Sequence, residues 1–170
     1  MEESGPLFEC SRFRVVRLEE TTRDGARHAR EVIRHPGAVA ILPLLDDGRI
    51  CLIENHRAAV DRTLVELPAG TREPDEDPAE TARRELIEET GYRAEHIRPL
   101  IDFYTSPGVM DERMYLFLAT GLTPGPMDLA PGEQIEPLLC SWDEAMRMIR
   151  DGRIRDAKTI AGLLYYQALV

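Results

Sequence analysis

Cysteine is scarce in this sequence, and the three residues present, Cys10, Cys51 and Cys140, lie far apart with no CxxC pair. An odd number of scattered thiols, without a secretion signal, excludes a disulfide framework and a structural zinc site. Cys51 and Cys140 fall in apolar, strand-like runs and read as buried thiols. No apolar run approaches the ~20 residues that a membrane-spanning helix needs. The opening MEESGPLFEC is acidic and lacks the basic and apolar regions of a signal peptide, so the expected location is the cytoplasm. Basic residues are also in deficit: the net charge is −10. That balance argues against a nucleic-acid binder or an anionic-membrane binder. It leaves room for a small phosphorylated substrate, provided divalent cations stand between two negative partners. Internal repeats and low-complexity segments are absent.

What is present is a chain of 170 residues with 43% apolar and 31% charged residues, the size and balance of one soluble globular domain. Residues 12–18 (RFRVVRL) and 27–34 (RHAREVIR) alternate apolar with charged and predict antiparallel strands turned at Asp24–Gly25. Such a hairpin is marginal alone and must pack on the rest of the chain or on a partner subunit. GAVAILPLL (37–45) predicts a strand covered on both faces. Strands are also predicted at 49–55, 64–70, 97–106, 113–120 and 136–142, and TPGPMDLAPGEQ (123–134) predicts a loop long enough to be functional. Ser141 and Glu144 form a capping box for a helix closed by Gly152, and 157–170 predicts a terminal helix. The pattern implies an α+β fold, an α/β/α sandwich with a mixed β-sheet between helices. Residues 1–36 form a small N-terminal antiparallel β subdomain and 37–170 the main domain.

The densest run of charge is GTREPDEDPAETARRELIEETGY, residues 70–92. Asp77 is a good N-cap, Pro78 suits the first helical position, Glu80 completes a D-x-x-E variant of the capping box, and Gly91 suits a left-handed C-terminal position. A helix over 78–90 follows. At about 100° per residue, Glu85, Glu89, Ala82, Leu86 and Ala79 share one arc, flanked by Glu88 and Thr81. The glutamates therefore border the core stripe. Each like-charge pair at i,i+3 or i,i+4 costs a few tenths of a kcal/mol even when exposed, and more when half-buried. Arg84 reaches Glu88 one turn later and leaves the other two carboxylates unpaired. Partly desolvated carboxylates suit a hard divalent cation, and Mg2+ takes one or two of them with water and phosphate oxygens. Pro68-Ala69-Gly70 ends a strand where the Ala69 carbonyl is a further oxygen donor.

Gly70, Glu76 and the run Arg84-Glu85-Leu86-Ile87-Glu88-Glu89-Thr90-Gly91-Tyr92 match the Nudix box GX5EX7REUXEEXGU at every fixed position, with Tyr92 where an aliphatic residue is more usual. The chain thus resembles the Nudix hydrolases. That resemblance implies Glu85, Glu89 and the Ala69 carbonyl as ligands of Mg2+, with Mn2+ as a substitute. Glu88 is implied as a ligand or as the base that positions water, Arg84 as orienting the glutamates, and Glu76 as a supporting residue. LVELPAG, the SPG containing Pro107, EVIRHPGAVAILPL and AGLLYYQAL are similar to the ADP-ribose pyrophosphatase group, although Ala58 follows Arg57 where many relatives have proline. The resemblance then implies hydrolysis of ADP-ribose to AMP and ribose 5-phosphate. It implies a homodimer whose N-terminal strands help hold adenine, with Arg12, Arg14 and Arg27 as candidates. Arg57, Glu66 and Pro107 are candidate substrate residues. The catalytic base is Glu133, on the 123–134 loop, or Glu88. Two alternatives stand beside this reading: a pyrophosphatase for other nucleotide sugars such as GDP-mannose, and a catalytically silent Nudix-fold nucleotide-binding module. His28, His35, His56 and His96 show no metal spacing, and Trp142 with Tyr165 and Tyr166 reads as packing.

Overall fold

A computed structural model describes residues 2–169 and arranges them in eleven strands and three helices. The first four strands are β1 (Glu2–Glu3), β2 (Phe8–Glu9), β3 (Arg14–Thr21) and β4 (Arg27–Arg34). They form one antiparallel sheet around β3, so the predicted hairpin gains two short strands that were not expected from the sequence. This sheet buries little beyond Val16 and is anchored at one corner. There Ile33 bridges Met110, its N–H donates to the Val109 carbonyl, and Arg34 pairs with Asp111 at 2.9 Å. The anchoring segment lies between two later strands, β9 (Arg93–Tyr104) and β10 (Arg113–Thr123).

The main body holds β5 (Ala38–Pro43), β6 (Ile50–Arg57), β7 (Arg62–Glu66), β8 (Ala69–Thr71), α1 (Pro78–Thr90), then β9 and β10, β11 (Ile135–Cys140), α2 (Trp142–Arg150) and α3 (Ala157–Leu169). A mixed sheet runs β8-β5-β10-β9, with β5 and β10 parallel and its other pairs antiparallel. A second sheet runs β11-β6-β7. Every residue of β5 is buried, as expected of a strand covered on both sides. Because successive side chains alternate, Val39 and Ile41 pack with Phe117 and Ala119 against Ala82 and Leu86 of α1. Ala38, Ala40 and Leu42 pack on the opposite face with Leu52, Leu67, Ala145, Met148 and Leu163. The result is the expected α+β sandwich. No helix among the described residues is long and apolar enough to cross a membrane.

One expected strand is in fact two. The run 64–70 breaks at Leu67-Pro68, so β7 pairs with β6 while β8 crosses to pair with β5. Proline has no N–H to give a ladder, and the Leu67 N–H leaves the sheet to donate to Thr159 Oγ1 at 2.7 Å. The crossing therefore puts Glu66 on one sheet and Ala69-Gly70 on the other.

Local signals set the ends of α1 as expected. Asp77 Oδ1 accepts the Ala79 N–H at 2.8 Å, although Glu80 stands beside Arg83 rather than closing the capping box. Ser141 caps α2 by accepting the Glu144 N–H at 3.2 Å. Burial pushes the Cys51 and Cys140 thiols up to about 12 and about 11, so both are inert at neutral pH. Trp142 and Tyr166 pack ring against ring, with centroids 5.3 Å apart.

Gly91 takes φ 74°, and its N–H donates to the Ile87 carbonyl. A side chain there would run into the Gly125 carbonyl oxygen of the loop docked on the helix end. Gly91→Ala is therefore expected to lower the unfolding free energy by about 1–3 kcal/mol, measured by urea denaturation; an unchanged midpoint would contradict the packing described.

Candidate active site

The glutamates of α1 stand where the helix passes beneath β8. Glu85 is 9% exposed and Glu89 4%, with Glu88 half-buried between them and solvent. The Glu85 carboxylate occupies the space that a side chain on Gly70 would fill, so only glycine lets strand and carboxylate approach this closely. The Glu89 Oε2 accepts the Ala69 N–H at 2.8 Å. Backbone at the strand end thus orients the glutamate that lies deepest.

Arg84 organises the rest. Its Nε and Nη2 meet the two Glu76 oxygens, each at 3.1 Å, while Nη1 donates to Glu85 at 2.6 Å and to Glu88 at 2.9 Å. The sequence expectation paired Arg84 with Glu88 alone; the guanidinium in fact holds Glu85 as well, because Glu76 folds back and fixes it centrally. Among the described residues, Glu89 is the cluster carboxylate left without a cationic hydrogen-bond partner. The hydrogen bond from Arg84 pushes the Glu76 carboxyl down to about 2, and Glu76 in turn raises Arg84 above its already high range. Burial raises the Glu85 carboxyl despite Arg84. Burial, with the Glu85 charge alongside, pushes Glu89 up to about 8 against the Ala69 hydrogen bond.

Two other segments reach this cluster. The Asp128 N–H of the 123–134 loop donates to the Glu88 carbonyl at 3.1 Å, so the loop is docked on the last turn of α1. Further along, Glu133 is exposed, accepts the Ala130 N–H at 2.9 Å, and lies close enough for its charge to raise both Glu85 and Glu89. On the other side, Arg57 at the end of β6 pairs with Glu66, and its charge acts to lower the Glu89 carboxyl. Glu66, expected at the substrate, is 0% exposed. Both its oxygens are taken by Arg57 and Lys158, so it touches the arginine rather than open space. Burial raises the Glu66 carboxyl, but these cations outweigh it and hold it below the usual range. Arg27 lies on the exposed N-terminal sheet beside Glu19, and Pro107 lies in the exposed β9–β10 turn.

A family model described as NUDIX domain matches residues 34–163, which include all of the cluster. The chain belongs to the Nudix family. Among curated relatives of this Nudix chain, a protein named methanol dehydrogenase activator from Bacillus methanolicus is 40% identical over 159 residues, covering 91% of this chain and 86% of the relative. An ADP-ribose pyrophosphatase from Bacillus subtilis (strain 168) is 39% identical over 146 residues, covering 85% of this chain and 79% of the relative. A solved structure described as an ADP compounds hydrolase superposes with a TM-score of 0.83 at 20% identity, covering 98% of this chain and 93% of that one, and bears on the fold.

The donor set of this Nudix site fits a hard divalent cation. All candidate ligands are oxygens: Glu85, Glu89, the Ala69 carbonyl and Glu88. Among the described residues no three acidic, imidazole or thiol groups already converge on one point. Arg84 holds both Glu85 and Glu88. A cation that takes only one or two protein carboxylates and completes its shell with water and phosphate does not need such convergence. Sequence reasoning missed Lys158, Asp156 and Thr159 behind the site, because the apolar pattern of 157–170 drew attention away from its polar first turn. The available signal was that Lys158 is the chain's single lysine among 21 basic residues.

The raised Glu89 carboxyl has a consequence for pH. Between about pH 4.5 and 8 the metal-free folded state holds a proton that the unfolded chain has released, so its stability contribution falls as pH rises through that window. A cation needs the ionised form and displaces that proton. Divalent-cation affinity, measured by titration calorimetry, is expected to rise with pH and level off above about 8, with heats that depend on the buffer's ionisation enthalpy. A pH-independent affinity would contradict this account of Glu89.

Proposed function

We propose that this Nudix protein is a cytoplasmic, homodimeric, Mg2+-dependent pyrophosphatase that hydrolyses ADP-ribose to AMP and ribose 5-phosphate, with Mn2+ able to replace Mg2+. The observation that carries the reading is the pair of buried carboxylates, Glu85 and Glu89, set against Gly70 and the Ala69 N–H beneath a strand end. Burying two like charges side by side is unfavourable unless a positive ligand joins them. The ADP-ribose pyrophosphatase from Bacillus subtilis supports the choice of substrate.

Glu85, Glu89 and the Ala69 carbonyl hold the cation, with Glu88 as a further oxygen. When bound, it neutralises the pyrophosphate and acidifies water. Arg84 keeps Glu85 and Glu88 from turning into solvent, and Glu76 keeps Arg84 in place. Arg57 meets a phosphate oxygen of the substrate at the cluster's edge. Glu133 takes the proton of the attacking water, with Glu88 as the competing base. Arg27, with Arg12 and Arg14, is a candidate for holding the adenine, and Pro107 is a further substrate-binding candidate. The N-terminal unit, residues 1–36, serves dimerisation, in keeping with its thin attachment to the 37–170 body.

Glu85→Gln and Glu89→Gln are each expected to lower Mg2+-dependent release of AMP from ADP-ribose by more than about a hundredfold, with cooperative thermal unfolding retained. Full activity in either variant would remove the ligand assignment. A panel of ADP-ribose, GDP-mannose and other nucleotide sugars tests the substrate: GMP release in preference to AMP would replace ADP-ribose, and tight binding without turnover would make the chain a silent module. Glu133→Gln is expected to lower kcat more than Glu88→Gln does, and the reverse order makes Glu88 the base. Light scattering is expected to give twice the 19.2 kDa chain mass.

A further inference from the structure

Behind the cluster lies a run of charges of which the reaction described above uses only Arg57. Lys158, the only lysine in the chain, is 9% exposed in the first turn of α3. Its Nζ donates to Glu66 Oε2 and stands 3.1 Å from Asp156 Oδ2. Asp156 caps α3, accepting the Thr159 N–H at 2.9 Å and the Thr159 hydroxyl at 2.6 Å. That same hydroxyl accepts the Leu67 N–H at the strand crossing. Glu66 then grips Arg57 from the side, Nε to Oε1 at 2.8 Å and Nη2 to Oε2 at 2.7 Å. Of this group Arg57 is the member that faces solvent, with 41% of its side chain exposed, and the Glu66 it pairs with lies just before Ala69, whose N–H holds Glu89.

Buried ion pairs are poor sources of stability, since well-packed apolar residues serve as well or better. This network nonetheless joins three elements, β6, β7 and α3, and its single outlet is a guanidinium beside the carboxylate cluster. A free arginine loses much side-chain freedom when it clamps an anion; one already clamped does not. The bidentate grip needs a rigid Glu66, and Lys158 pins the oxygen that Arg57 Nη2 also uses. Nη1 makes no hydrogen bond among the described residues, which leaves one corner of the fork for a ligand oxygen.

We propose that Lys158 is a positioning residue of the active site: through Glu66 it immobilises Arg57, so that the anionic phosphate of the substrate meets a prepositioned arginine. The inference rests on the phosphate contact proposed for Arg57. Its signature is weaker substrate capture with the chemical step preserved.

The test combines kinetics with the 15N–1H signal of the Arg57 Nε–H, assigned by its loss in Arg57→Lys. In the wild type this proton is expected to exchange slowly. Lys158→Met is expected to broaden or abolish the signal and raise the KM for ADP-ribose about tenfold, with kcat within about threefold. Lys158→Arg is expected to restore both in large part. Because Lys158→Met leaves a buried carboxylate short of a partner, the double variant Glu66→Gln/Lys158→Met removes both charges together. It is expected to show no more than the larger single effect on KM, since both residues act through one guanidinium. An unchanged Arg57 signal in Lys158→Met, additive KM effects, or a fall in kcat at constant KM would each overturn the proposal. If the wild type turns over a different nucleotide sugar, the substrate reading fails; KM is then read on that sugar nucleotide, and the Arg57 signal judges Lys158 as before.

Discussion

Carboxylates taken out of water repel one another, and the candidate active site is built around that constraint. Glu85 and Glu89 are nearly buried, one turn apart on the same helix, and burial raises both carboxyls. Nothing in a helix alone tolerates this arrangement. It holds because Gly70 leaves room for the Glu85 carboxylate, the Ala69 N–H holds Glu89, and Arg84 spreads one positive charge over Glu85 and Glu88. Glu76 then keeps Arg84 from being drawn wholly to either glutamate. The cluster is polarised: in its outer half Arg84 bonds Glu85 and Glu88, while Glu89 in its inner half has no cationic hydrogen-bond partner among the described residues.

The strand crossing at Leu67-Pro68 makes the geometry possible. A continuous strand from 64 to 70 would keep Glu66 and Gly70 on one sheet. The break sends β7 to β6 and β8 to β5 instead. Glu66 is thereby turned toward α3 and Lys158, while Ala69 and Gly70 are delivered to α1. One short segment that changes sheets thus touches both the glutamates of α1 and the Arg57–Glu66–Lys158 network. The Thr159 hydroxyl accepts the Leu67 N–H at the crossing and donates to Asp156, tying α3 to that segment.

Much of this is legible in the sequence. The limits of α1 followed from Asp77, Pro78 and Gly91, each of which acts on its own backbone neighbourhood, and the observed helix is Pro78–Thr90. The side of α1 that is buried followed from a 3.6-residue period. The full burial of β5 followed from its unbroken apolar run. What was misread involved partners distant in sequence. Arg84 was paired with Glu88 by helical spacing, yet its most extensive contact is Glu76, which lies before the helix. The run 64–70 looked like one strand because a strand pattern says nothing about which neighbour it pairs with. Lys158 carries no signal in its own neighbourhood, because its partner is Glu66, 92 positions earlier.

The sequence by itself determined the helix, its caps, the acidic stripe and the family, because these rest on spacing along one element and on residues a few positions apart. Only the tertiary structure decided which carboxylate has no cationic hydrogen-bond partner among the described residues, that Glu66 faces Arg57 and Lys158, and that the 123–134 loop is docked at the end of α1. The physical reason is that charge pairing and burial depend on distance in space. The residues that settle them here belong to strands and helices that meet only when the sheets have formed.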